Sequence, residues 1–129
     1  MSSFVIDSRE KISGTNTNFQ LQLTEAVQFQ NVKLLFSSIP VPVNNTEGIF
    51  YVIIPELGLT CSNSNTKFTF PHAVTSAGGF RSIHQSESDY IVTVEKSNPS
   101  YVQTLNVRIV NNKNEDIADS GDVLFILQY

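Results

Sequence analysis

Asn18-Phe19-Gln20-Leu21-Gln22-Leu23 alternates amide and apolar side chains from end to end. Successive side chains of an extended strand point to opposite faces. Phe19, Leu21 and Leu23 therefore line a core face, and Gln20 and Gln22 a wet one. The same period recurs downstream. Leu105, Val107 and Ile109 alternate with Asn106 and Arg108, and Tyr90, Val92 and Val94 alternate with Ile91, Thr93 and Glu95. Two further runs, Ile49 to Ile54 and Val123 to Leu127, are apolar on both faces. Such runs fit central strands covered on both sides, or strands whose second face meets a partner.

Working outward, strands are expected near 3–7, 18–23, 31–37, 49–54, 66–70, 89–95, 103–110 and 122–129. Turn chemistry separates them at Ser13-Gly14-Thr15-Asn16, Asn44-Asn45-Thr46-Glu47-Gly48, Ala77-Gly78-Gly79, Ser97-Asn98-Pro99-Ser100 and Asn111-Asn112-Lys113-Asn114. Pro40, Pro42, Pro55 and Pro71 fall at run ends or between runs, because proline has no N–H for a sheet ladder. No window carries a clean helical stripe, and only one short turn near 72–77 is expected. The reading is an all-β, single-domain, two-sheet antiparallel sandwich over 1–129. About eight strands is the number of a jelly roll, although spacing does not give strand order. The polar stretch from Asn111 to Asp122 is expected to be a solvated loop.

Composition excludes several function classes. The chain has 129 residues with 8 Lys+Arg against 12 Asp+Glu, a net charge of −4, and only 16% charged residues. Ser, Thr, Asn and Gln fill roughly a third of it. A duplex-binding protein needs a basic stripe to replace counterions, and no such stripe exists. Cys61 is the sole cysteine, so no disulfide framework is possible within the chain. No apolar run approaches the length of a membrane span. Met1 to Ser3 leads straight into Phe4-Val5-Ile6, without the basic and then apolar segments of a secretory signal.

Reactive chemistry has little to stand on. His72 follows Pro71 and His84 sits in Ser82-Ile83-His84-Gln85; both read as surface or turn histidines, too far apart in sequence for a zinc pair. Cys61 lacks the context of a thiol nucleophile and reads as a small hydrophobe. Asn112 to Asp116 begins like a calcium loop, but Ile117 stands where glycine is needed and Val123 where a bidentate glutamate belongs. A looser calcium site on Asp116, Asp119 or Asp122 is the remaining form of that idea. There is no Gly-x-Ser-x-Gly elbow, and Gly78-Gly79 has no phosphate-loop lysine behind it. Neither a catalytic set, a cofactor motif nor a metal set is therefore assigned, and the chain reads as a non-enzyme.

One segment is more specific. Phe4-Val5-Ile6-Asp7-Ser8-Arg9 is followed by Ser13-Gly14-Thr15, by Asn18 to Leu23, and by Val32-Lys33-Leu34-Leu35-Phe36 with Ile39-Pro40 behind it. This pattern resembles the opening of β-sandwich virion structural proteins of large DNA viruses, virophages and phages. In that family a hydrophobic pair precedes Asp-Ser-Arg, a Gly-Thr turn follows, and an apolar strand ends in Ile-Pro. The strands Leu105 to Ile109 and Val123 to Leu127 resemble its closing pair. The resemblance implies a capsid, vertex or spike component located in the virion. It implies assembly with copies of itself, as a trimer or pentamer, and with other capsid proteins; no nucleic acid and no membrane span are expected, from the composition and run lengths above.

The candidate interface or corner residues are Asp7 and Arg9 in the opening motif, and Tyr51, Phe125 and Tyr129 on the expected strands 49–54 and 122–129. Asp7 and Ser8 can close a turn, and Arg9 carries a planar fork for carboxylates or carbonyls. The motif thus builds either a local corner or a pairing across a subunit boundary. The alternative function is a ligand- or carbohydrate-binding head, such as a receptor-binding module, using Tyr, Asn and Asp on its loops.

Overall fold

The computed structural model describes residues 3–29, 31–57, 68–85, 92–95 and 101–129. They contain ten strands: β1 (Ser3–Asp7), β2 (Ser13–Thr15), β3 (Asn18–Gln28), β4 (Asn31–Pro40), β5 (Ile49–Ile53), β6 (Phe70–Ala73), β7 (Arg81–Gln85), β8 (Val92–Glu95), β9 (Tyr101–Val110) and β10 (Leu124–Gln128). Short 3-10 turns occupy Ser8–Glu10 and Pro55–Leu57, and no α-helix occurs among the described residues. All strand pairing is antiparallel, in two sheets. Sheet A runs β1-β10-β4-β7, with β8 also on β4; sheet B runs β2-β3-β9-β5-β6. β7 and β8 lie along different halves of β4, pairing with 36–40 and 31–34. The sandwich expected from the alternation is the observed architecture.

The pairing is nested. β1 pairs with β10 (Ser3 opposite Gln128), β3 with β9 (Asn18 opposite Arg108), β4 with β7 (Phe36 opposite Gln85) and β5 with β6 (Ile49 opposite Ala73). Successive pairs fall alternately in sheets A and B. The chain is thus one long antiparallel hairpin rolled upon itself, the strand order of a jelly roll. Rolling brings the segment from β1 to β3, which includes β2, and the connections β4–β5, β6–β7 and β9–β10 to one end. There they bond to each other: Asn16 to Asp119, Val41 to Phe80, and Arg81 to the Asp122 carbonyl.

Between the sheets lie Phe19, Leu21, Leu34, Ile39, Phe50, Val52, Phe70, Leu105, Val107, Ile109, Phe125 and Leu127, all buried. Phe70 of β6 meets Phe125 of β10 edge-on across the sandwich, centroids 5.4 Å apart. At the end opposite the loops, Phe4, Phe29 and Tyr129 form a ring cluster with centroid distances of 4.9, 5.6 and 5.1 Å.

Several expectations are corrected. Of the strand expected at 66–70, residues 66 and 67 lie outside the described residues; β6 runs from Phe70 to Ala73, so the turn expected near 72–77 begins inside a strand. Pro71 lies within β6 rather than between runs, tolerated because β6 is the edge of sheet B. β7 matches no strand expected from the alternation, and β2 lies within the expected turn at 13–16. The stretch from Asn111 to Asp122 is not purely solvated. Asp116 bridges to Val110, and Ile117 is buried with its N–H on the Ile109 carbonyl.

Candidate functional site

The two outer faces of the sandwich are chemically unlike. On sheet A one cross-strand row reads Val5, Ile126, Phe36, Gln85 and the next reads Asp7, Leu124, Ser38, Ile83. Val5 and Ile83 are 54% and 49% exposed, and Phe36, Leu124 and Ile126 are half-buried. Hydrocarbon thus extends across four adjacent strands on the side away from the core. On sheet B the outward rows carry Ser13, Gln20 and Asn106, then Gln22 and Thr104, then Asn18, Arg108 and Ile53. Amides and hydroxyls dominate over β2, β3 and β9, while β5 presents Ile49, Tyr51 and Ile53 outward.

A cavity of about 410 Å³ indents the sheet A face beside the loop end. Phe36, Ile83 and Leu124 supply its apolar wall, while Arg9, Arg81, Asp7 and Asp122 stand around it. Asp7 begins the 3-10 turn and accepts from the Arg9 backbone N–H at 3.0 Å. Its carboxylate also takes the Arg9 guanidinium, with Nη2 to Oδ2 at 2.7 Å and Nε to both oxygens at 3.1 Å. These hydrogen bonds from Arg9 hold the Asp7 pKa below the ordinary value against the opposing effect of burial. Between them, Ser8 is buried and accepts from the Val123 N–H at 2.9 Å, while its own N–H donates to the Val123 carbonyl. The opening motif therefore builds a corner that fastens β1 to the start of β10. Arg81 donates to Ser38 Oγ at 3.1 Å and to the Asp122 carbonyl at 2.7 Å, closing the opposite side of the cavity.

The other sequence candidates scatter. Phe125 is fully buried against Phe70, which corrects its reading as an interface residue: Leu124 and Ile126 are the outward members of β10. Tyr129 is half-buried in the ring cluster at the far end, and Tyr51 packs on Phe68 at 4.8 Å on sheet B. Only Asp7 and Arg9 line the cavity; Phe36, Ile83, Arg81 and Leu124 were missed. The signal available was the two-faced run Val123 to Leu127, whose outward half does reach this face.

The titratable groups go elsewhere. Asp116 is engaged by Arg108, and Asp119 by Asn16, whose hydrogen bonds hold its pKa down. No group of three or more His, Cys, Asp or Glu suited to a metal occurs among the described residues. Cys61 and Tyr90 lie outside the described residues. His72 is not a surface or turn histidine. It is 1% exposed, between the sheets, with Nδ1 2.7 Å from Ser37 Oγ and Nε2 3.0 Å from Ser82 Oγ. Burial drives its pKa down from 6.5 to about 4. Ser37 is 0% exposed, so this Ser–His contact offers no nucleophile to a substrate.

On sheet B a polar groove of about 310 Å³ is lined by Ser13, Asn18, Gln20 and Asn106. Its amides are held in sequence: Gln20 Nε2 donates to Asn106 Oδ1 at 3.1 Å, and Asn106 Nδ2 donates to Glu56 Oε2 at 3.1 Å. Glu56 also accepts the Asn106 backbone N–H, replacing a ladder partner beyond the end of β5.

No protein-family model matches the chain, and no curated protein matches it either. No helix among the described residues is long and apolar enough to cross a membrane.

Proposed function

We propose that this chain is a non-enzymatic virion structural protein that works by assembly, with the outer face of sheet A as its contact surface. The observation that carries the reading is that face: Val5, Phe36, Ile83, Leu124 and Ile126 continue hydrocarbon across four strands on the solvent side. Contiguous apolar surface of this kind marks contact sites. The jelly-roll strand order and the resemblance of the opening motif support the virion setting. The partner is a further copy of the chain. Arg9 and Arg81 share the cavity rim with Asp7 and Asp122, so the rim carries both signs in equal number and suits a surface that also carries both. Repetition by rotation then closes a ring of three or five copies. Native mass spectrometry tests this. A closed ring is expected, and a strict monomer at high concentration contradicts it.

One observation favours a second reading. The Gln20–Asn106–Glu56 chain fixes amide groups over the sheet B groove in a way that suits the hydroxyls of a carbohydrate. Binding on a glycan array that is lost in Asn106→Ala supports that reading; an array with no binding removes it.

A further inference from the structure

β6 and β7 are the edge strands of sheets B and A on one flank, and polar groups join them to each other and to β4. Ser82 Oγ lies 3.1 Å from the Ala73 carbonyl, 3.0 Å from the Thr75 N–H, 3.2 Å from the Thr75 hydroxyl and 3.0 Å from His72 Nε2. The other ring nitrogen, Nδ1, lies 2.7 Å from the Ser37 hydroxyl. A neutral imidazole meets one serine as donor and the other as acceptor. A second ring proton makes both nitrogens donors, so both serine hydroxyls must turn their own protons elsewhere.

Burial and like charge oppose that proton, and a backbone hydrogen bond at Ser82 favours it less strongly. From β7, His84 faces inward beside Ser82 and adds like charge, while Arg81 points outward to Ser38 and Asp122. On β4, Lys33 belongs to the outward set, and on β5 Tyr51 does likewise. No carboxylate of the described residues acts on the ring.

The geometry points to an acid-sensitive tie: protonation of His72 releases the β6–β7 flank and lets the two sheets part there while the β3·β9 ladder holds. The sign follows from which state takes up the proton. A ring released to water titrates near 6.5, whereas the closed one titrates only at about 4. The tie is at full strength above pH 6.5 and weakens as pH falls toward 4. Opening becomes about 20-fold more favourable between pH 7 and pH 5, and about 300-fold over the whole window. The tie does not depend on what the chain assembles with.

Hydrogen exchange and imidazole NMR on the full chain test this together. Between pH 7 and 5, protection factors in β6 and β7 are expected to drop about 20-fold, while those of β3 and β9 stay constant. The His72 ring should remain neutral in the closed state down to about pH 4.5. His72→Gln, which stays neutral, should flatten the pH dependence of β6 and β7. The proposal is overturned if the ring titrates near 6.5, if β3 and β9 lose protection in step with β6 and β7, or if His72→Gln keeps the wild-type slope. The ring measurement needs no variant, so it decides the matter even if His72→Gln fails to fold.

Discussion

Gly14 sits at φ +97° in the β2–β3 hairpin, and a Cβ placed on it would lie 2.2 Å from the Asn18 carbonyl oxygen. Both the left-handed backbone and the close approach demand glycine. Gly14→Ala is expected to cost about 1–3 kcal/mol in urea unfolding, with an unchanged m-value. Ser8 is a second such position, since its hydroxyl alone satisfies the Val123 N–H inside the corner. Ser8→Ala should lose about 1–3 kcal/mol by the same measurement. His72 adds a pH term. Its folded pKa is depressed, so the unfolded chain binds the extra proton, and stability falls as pH drops from 6.5 toward 4, by about 3 kcal/mol in all. Denaturant midpoints at pH 7.5 and 4.5 measure it, and in His72→Gln the difference should shrink accordingly.

At the scale of elements, the sequence was readable where a strand buries hydrocarbon on one face and wets the other. β3 and β9 are the clear cases, with Phe19, Leu21, Leu105 and Val107 inward and Gln20 and Asn106 outward. β7 was not readable because its inward residues are Ser82 and His84, placed opposite the polar contacts of His72 rather than in hydrocarbon. The same cause hid β6, where a proline and a buried histidine look like turn residues. β10 failed in a different way. Leu124 to Leu127 is apolar at every position, so alternation does not say which half faces the core. Pairing of Leu124 with Asp7 and Ser38 sets the parity, sending Phe125 inward and Leu124 and Ile126 outward. Two variants should separate these roles. Phe125→Ala is expected to lose about 3–5 kcal/mol of stability through the cavity left against Phe70. Ile83→Asp, on a side chain 49% exposed, should change thermal stability little while weakening association.

For the whole molecule, strand order was beyond the reach of local pattern, because Ser3 pairs with Gln128 and Asn18 with Arg108. Nothing near either residue in sequence records the other. The rolled hairpin also delays folding, since its outer pairs close only after most of the chain has been gathered. Refolding in milliseconds to seconds is expected in stopped-flow fluorescence from the tyrosines. The rolling leaves two outer faces: sheet A carries hydrocarbon on all four of its adjacent strands, whereas sheet B is amide-rich over β2, β3 and β9, and this asymmetry is what the assembly proposal rests on.

The most direct test compares the faces. Association of the native chain should be measured by sedimentation beside Ile83→Asp on sheet A and Gln22→Asp on sheet B. The account predicts at least a tenfold loss of association for Ile83→Asp, from burying an unpaired carboxylate in the contact, and none for Gln22→Asp. Equal effects at the two sites, or a native chain that stays monomeric throughout, would contradict it.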